Sequence, residues 1–217
     1  MKPAVLTIDL EFIKSQNIPT DLDTYGVFDF NLNTVPQNAF SFINRLVVDC
    51  KEEDNPIHFK IGATLPQILA YIVIKCGDEY LTYSRAKGAE TRLHGSSSLG
   101  FGGHVDIQDS YALAVKHNRT DITYQDILEE ATYRELSEEL NFTSDLDFKV
   151  NKIIVDMTNS VGQVHVGLPI IVELDSKDEI KADPAEIALP EWKSKDQLVQ
   201  DLDTYENWSQ LVINNLL

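Results

Sequence analysis

Apolar residues run almost unbroken through Ile68-Leu69-Ala70-Tyr71-Ile72-Val73-Ile74, the pattern of a buried strand. Gly77-Asp78 then supplies a turn, and Tyr80-Leu81-Thr82-Tyr83 predicts the returning strand of a hairpin. Tyr124 to Leu140 has helical spacing, with Thr123 as N-cap and Asp126, Glu129 and Glu130 in the first turns, where negative charge suits the helix dipole. Lys152 to Met157 and Val164 to Leu174 predict two more strands around the turn-rich Asn159-Ser160-Val161-Gly162, and Lys195 to Leu217 reads as helix. Residues 106 to 122 are mixed and polar, and residues 1 to 60 alternate short apolar stretches with Pro19, Asn31, Asn33, Pro36 and Asn38, a texture of short elements and turns. Strands on both sides of a central helix, with helix at the end, predict an α/β sandwich with a mixed sheet packed between helices.

With 217 residues, 43% hydrophobic and 24% charged, the chain has the length for one main domain with additions. Its net charge of −17 argues against nucleic acid as a partner, since backbone binding needs clustered Lys and Arg. An acidic protein acting on an anionic small molecule must reverse its own field locally, which bound divalent cations do. Cys50 and Cys76 are too few for a disulfide framework. No basic and apolar leader opens the sequence, and no apolar run nears the roughly 20 residues that span a bilayer. The expectation is a cytoplasmic protein without a membrane partner; a homodimer is compatible with this, dimers being the commonest soluble assemblies.

The chemistry concentrates in Arg134-Glu135-Leu136-Ser137-Glu138-Glu139-Leu140. At about 100° per residue, Glu135, Glu138 and Glu139 share one face of the helix, while Thr132, Tyr133, Leu136 and Leu140 form a neighbouring apolar stripe. Carboxylates three and four apart repel by a few tenths of a kcal/mol each, unless a cation lies among them. Hard cations such as Mg²⁺ or Mn²⁺ prefer such oxygens. A solvated acidic face explains the spacing equally well, so spacing alone is no proof of a site. Upstream lies a glycine-rich loop, Gly95 to Gly103, without the lysine or spacing of a nucleotide-binding P-loop.

Arg134-Glu135-Leu136-Ser137-Glu138-Glu139-Leu140, preceded by Gly102-Gly103-His104-Val105-Asp106, resembles the signature of the Nudix (MutT-like) hydrolases: glycine, five residues, Glu, seven residues, Arg-Glu, an aliphatic residue, any residue, Glu-Glu, any residue, glycine and an aliphatic residue. The segment from Arg92-Leu93-His94-Gly95 to His104 is similar to one in that family's predicted phosphoesterase branch. Counting back from Arg134 puts Asp126 at the first Glu, and Asn141 replaces the closing glycine, a left-handed position where Asn ranks next. Between Gly103 and Asp126 the family has five residues and this chain twenty-two, which reads as a loop insertion about 106–122. The resemblance covers about Gln67 to Trp192, giving a Nudix-like domain over 61–217 and an N-terminal extension, 1–60, of unknown role.

The resemblance implies Mg²⁺ (or Mn²⁺) on Glu138 and Glu139, with Glu135 either a third ligand or the base that deprotonates the attacking water. It implies that Arg134 orients the glutamates by ion pairing and that Gly103 offers its carbonyl to the metal. Arg92, His94 and His104 stand near the loop as candidates for holding phosphate oxygens. Glu173, Glu186 and Glu191 are candidates for a further carboxylate, and Trp192 for either core packing or base stacking. The implied reaction is hydrolysis of a phosphoanhydride bond in a nucleoside diphosphate derivative or related phosphoester. The alternatives are a catalytically silent nucleotide-binding module on the same fold and a prenyl diphosphate isomerase, which would want a pocket cysteine that neither Cys50 nor Cys76 suggests.

Overall fold

The computed structural model describes residues 3–51, 53–85, 96–117, 121–184 and 187–217. In chain order the elements are β1 (Ala4–Ile8), α1 (Leu10–Ser15), β2 (Tyr25–Asp29), β3 (Phe40–Asn44), α2 (Arg45–Val48), α3 (Pro56–Thr64), β4 (Gln67–Cys76) and β5 (Glu79–Arg85). The short strands β6 (Ser97–Ser98) and β7 (Gly100–Phe101) follow, then α4 (Ile107–His117), α5 (Tyr124–Leu140), β8 (Lys152–Asp156), β9 (His165–Leu174), β10 (Ile187–Ser194), α6 (Lys195–Gln200) and α7 (Asn207–Asn215). The α/β class with a mixed sheet is thus the one expected. The chain divides into two compact units, and it passes from one to the other within β4, α5 and β9.

The first unit comprises Met1–Ala70, Gly103–Ala131 and Val150–Leu168. Here β1 pairs antiparallel with β3 and meets β4 at Thr7 and Gln67, and β2 lies antiparallel on β8. Strands β1 and β2 of residues 1–60 are therefore paired with later parts of the chain. Buried Val5, Leu6, Ile8, Val105, Ile153, Ile154 and Val155 form much of its core. Residues 107–117, expected as an inserted loop, form a helix. Its start is secured by the Asp106 amide, which donates to Asp109 Oδ2 at 2.7 Å, and Leu113 turns inward.

The second unit comprises Tyr71–Gly102, Thr132–Lys149 and Pro169–Leu217. Its strands run β10-β5-β4, with β6 on β5 and β7 on β4, all antiparallel. Strand β10 has no clear sequence signal because it bulges between Ala188 and Glu191, where Leu189 takes a left-handed φ of 50° before Pro190. Ile72, Val73, Ile74, Leu99, Phe101, Leu136, Leu140 and Phe142 are buried here with Leu211, Val212 and Ile213 of α7.

Candidate active site

The last turns of α5 are fixed from the apolar side first. Leu136 and Leu140 are fully buried, each contributing about 1.5–3 kcal/mol by removal from water. The helix stops where Asn141 enters the left-handed region at φ 51°, and the Phe142 amide donates back to the Leu136 carbonyl. Two further carbonyls of the helix end, those of Glu139 and Leu140, accept from the Asp183 and Lys181 amides at 2.8 and 2.7 Å. Asn141 Nδ2 donates to the Lys181 carbonyl and ties the same segment down.

On this anchored end, Arg134 Nη1 lies 2.8 Å from Glu135 Oε1 and 3.7 Å from Glu138 Oε2. Glu135 is mostly covered, with 14% of its side chain exposed, whereas Glu138 is 62% exposed. Glu139 Oε2 accepts from the Gly102 amide at 3.0 Å. Gly102 has φ 100°, a conformation that only glycine adopts without strain. One guanidinium and one backbone amide thus face three carboxylates along two turns of helix.

The segment that presents Gly102 is itself pinned. Gly100 and Phe101 pair with Val73 and Ile72 of β4, and Tyr83 Oη donates to the Gly100 carbonyl at 2.9 Å. A Cβ at Gly100 would lie 2.2 Å from the Tyr71 ring, so glycine is required by the close approach. Burial, and after it the charge of Glu206, raises the Tyr71 phenol well above its ordinary pKa, so it is a donor at neutral pH. Its hydroxyl donates to Glu206 Oε1 at 2.8 Å and lies 2.8 Å from Ser209 Oγ, which in turn accepts from the Leu99 amide at 2.9 Å. In the sequence Tyr71 reads only as part of a buried strand, and Glu206 and Ser209 carry little local signal. The acidic residue three before Ser209, at the start of an apolar helix, was the one readable signal.

The other expected residues make contacts of their own or lie outside the described residues. Gly103 and His104 belong to the first unit. The Gly103 carbonyl accepts from the Ala70 amide at 2.9 Å, and the His104 ring stands edge-on to His165 at 5.4 Å. His165 Nε2 is 3.0 Å from Gln67 Nε2 and therefore accepts, leaving Nδ1–H to donate to the Val161 carbonyl. Asp126, placed by counting at the first Glu of the signature, caps its own helix. Its Oδ2 accepts from the Thr123 amide and hydroxyl at 2.7 and 2.6 Å. Counting forward from Gly103 instead reaches buried Asp109, the carboxylate that secures α4.

Arg92, His94 and Glu186 lie outside the described residues. Glu173 is paired with Lys75 at 2.9 Å, and Glu191 approaches Lys193 at 3.6 Å with its side chain largely exposed. Trp192 is half-buried beneath Lys177 Nζ, 5.0 Å from the ring, in cation–π contact. Among the described residues no three His, Cys, Asp or Glu side chains already converge as metal ligands do. The donor chemistry nonetheless fits a hard divalent cation, since Glu135, Glu138 and Glu139 offer only carboxylate oxygen and two of them already draw a positive charge, that of Arg134. No helix among the described residues is long and apolar enough to cross a membrane.

Compared with models of known protein families, the chain matches none. It is 35% identical over 156 residues to Protein YmaB of Bacillus subtilis (strain 168), an alignment covering 69% of this chain and 70% of that protein. Among solved structures it is similar to Tm1382, assigned to the Nudix hydrolases, with a TM-score of 0.67 and 23% identity over 99% of this chain and 98% of the other.

Proposed function

Because the chain belongs to the family of Protein YmaB and carries the fold of the Nudix superfamily, we propose that it hydrolyses the phosphoanhydride bond of a nucleoside diphosphate derivative or related phosphoester with the help of Mg²⁺ or Mn²⁺. The observation that carries this reading is Arg134 set between Glu135 and Glu138 while the Gly102 amide restrains Glu139. Acidic residues in the last turn of a helix oppose its dipole, so local stability does not account for Glu138 and Glu139.

Glu135, Glu138 and Glu139 would hold the cation. When bound, such an ion neutralises charge on phosphate oxygens and acidifies water. Glu135, covered and in contact with Arg134, would either complete the ligand set or accept the proton of the attacking water. Arg134 keeps Glu135 and Glu138 from splaying apart in the free protein. Arg92 and His104 are assigned to the phosphate oxygens of the substrate, and Gly103 to the metal through its carbonyl.

The test is release of phosphate or nucleotide from nucleoside triphosphates, dinucleoside polyphosphates, ADP-ribose, NADH and nucleotide sugars, with and without Mg²⁺ or Mn²⁺. Metal-dependent turnover that falls about a hundredfold or more in Glu139→Gln supports the hydrolase. Tight nucleotide binding without turnover of any compound would replace it with a silent binding module.

A further inference from the structure

Helix α7 meets the glycine-rich segment through a set of hydrogen bonds that exceeds what capping requires. Glu206 alone caps the helix, its carboxylate accepting from the Trp208 and Ser209 amides at 2.8 Å each. The Ser209 hydroxyl lies 2.6 Å from Glu206 Oε1 and is also the acceptor for the Leu99 amide, on a residue with no solvent exposure. The Glu206 amide donates to the Ser97 carbonyl at 3.0 Å, and Tyr205 bridges Ser97 in parallel. Both ends of the 97–99 stretch are thereby set by α7 and the two residues that lead into it. Beyond Leu99 only Gly100 and Phe101, both paired to β4, precede Gly102, so a shift at Leu99 has little slack in which to dissipate.

We propose that Ser209 and Glu206 are positioning residues for Glu139: they fix the register of residues 97–101 so that the Gly102 amide meets and orients the Glu139 carboxylate. The inference rests on the reading of Glu139 as a metal ligand. Tyr71 serves the same end from β4, its hydroxyl joining Glu206 and its ring filling the space above Gly100. A carboxylate held by an oriented amide presents its other oxygen in one direction, and partners of this outer kind commonly alter metal affinity by about 10–100-fold.

The experiment compares the full-length protein with Ser209→Ala and with Val212→Ala, which truncates a buried α7 side chain outside the network. Two quantities are read: hydrogen exchange at the Gly102 amide by NMR in metal-free protein, and Mn²⁺ binding by electron paramagnetic resonance. Ser209→Ala is expected to speed Gly102 exchange and to weaken Mn²⁺ about tenfold relative to Val212→Ala, with turnover at saturating metal within roughly threefold. Should Ser209→Ala fail to fold, Glu206→Gln, which keeps the shape of the cap, is read in the same way. Gly102 exchange and Mn²⁺ affinity that follow Val212→Ala would overturn the inference. If the unmodified protein turns over no substrate, the hydrolase reading falls, while the Gly102 exchange comparison still decides whether α7 governs this amide.

Discussion

At the first turn of α5, Asp126 accepts from the Thr123 amide and hydroxyl and lies where the helix dipole favours negative charge. At its last turn, Glu138 and Glu139 lie where the same dipole disfavours it, at a cost of about 0.3–1 kcal/mol, with repulsion of a few tenths from Glu135, three and four residues back, added. The first end is built for the helix; the second is built against it. What permits the second is the apolar stripe, since burial of Leu136 and Leu140 outweighs both electrostatic costs together. A carboxylate in a helix thus reports function when its position is locally unfavourable and a tertiary partner, here Arg134 or the Gly102 amide, restrains it.

The contrast is broken most severely by Leu136→Ala, which should cost about 2–5 kcal/mol in urea unfolding and loosen the acidic end with it. Glu138→Gln separates the two purposes. Metal-dependent turnover should fall about 10–100-fold in steady-state assays while the midpoint of unfolding stays level or rises slightly. Thr123→Ala does the converse, lowering stability by about 1 kcal/mol in the same unfolding assay and leaving turnover unchanged.

The smallest effect comes from the short helical turn Lys177–Glu179, which Ser176 and Glu179 cap. The Ser176 amide, and after it the Ser144 hydroxyl, hold the Glu179 carboxyl below its usual range. A depressed carboxyl contributes stability above its unfolded pKa and loses it as pH falls through the folded one. Glu179→Gln should therefore lie slightly below the parent in unfolding midpoint at neutral pH, and the gap should close in acid.

Elements with a strong period were legible in the chain itself. The β4–β5 hairpin, α5, β8 and β9 lie where apolar spacing places them, and Asn141 adopts the left-handed closure its position suggested. Helix α4 was hidden because its polar first turn looks like loop; Asp106-x-x-Asp109 is a capping pattern that is readable only as such. Strand β10 was hidden by a bulge, which breaks the two-residue period on which strand recognition depends. At the site, the Glu135, Glu138 and Glu139 face follows from helical spacing, and the contact between Arg134 and Glu138 from a separation of four. The Gly102–Glu139 bond joins residues 37 apart, and the Ser209–Leu99 bond residues 110 apart, so neither has any local signature.

The close approach of Gly100 to the Tyr71 ring bears on how this protein diversifies. Any side chain at position 100 collides with a buried aromatic ring that can move aside only by giving up its hydroxyl contacts, so position 100 is constrained while Tyr71 persists. A smaller residue at position 71 gives up two hydroxyl contacts before it yields any gain in space. The two positions can change only in a fixed order through a disadvantaged intermediate, and lineages descending from this sequence should inherit them as a pair.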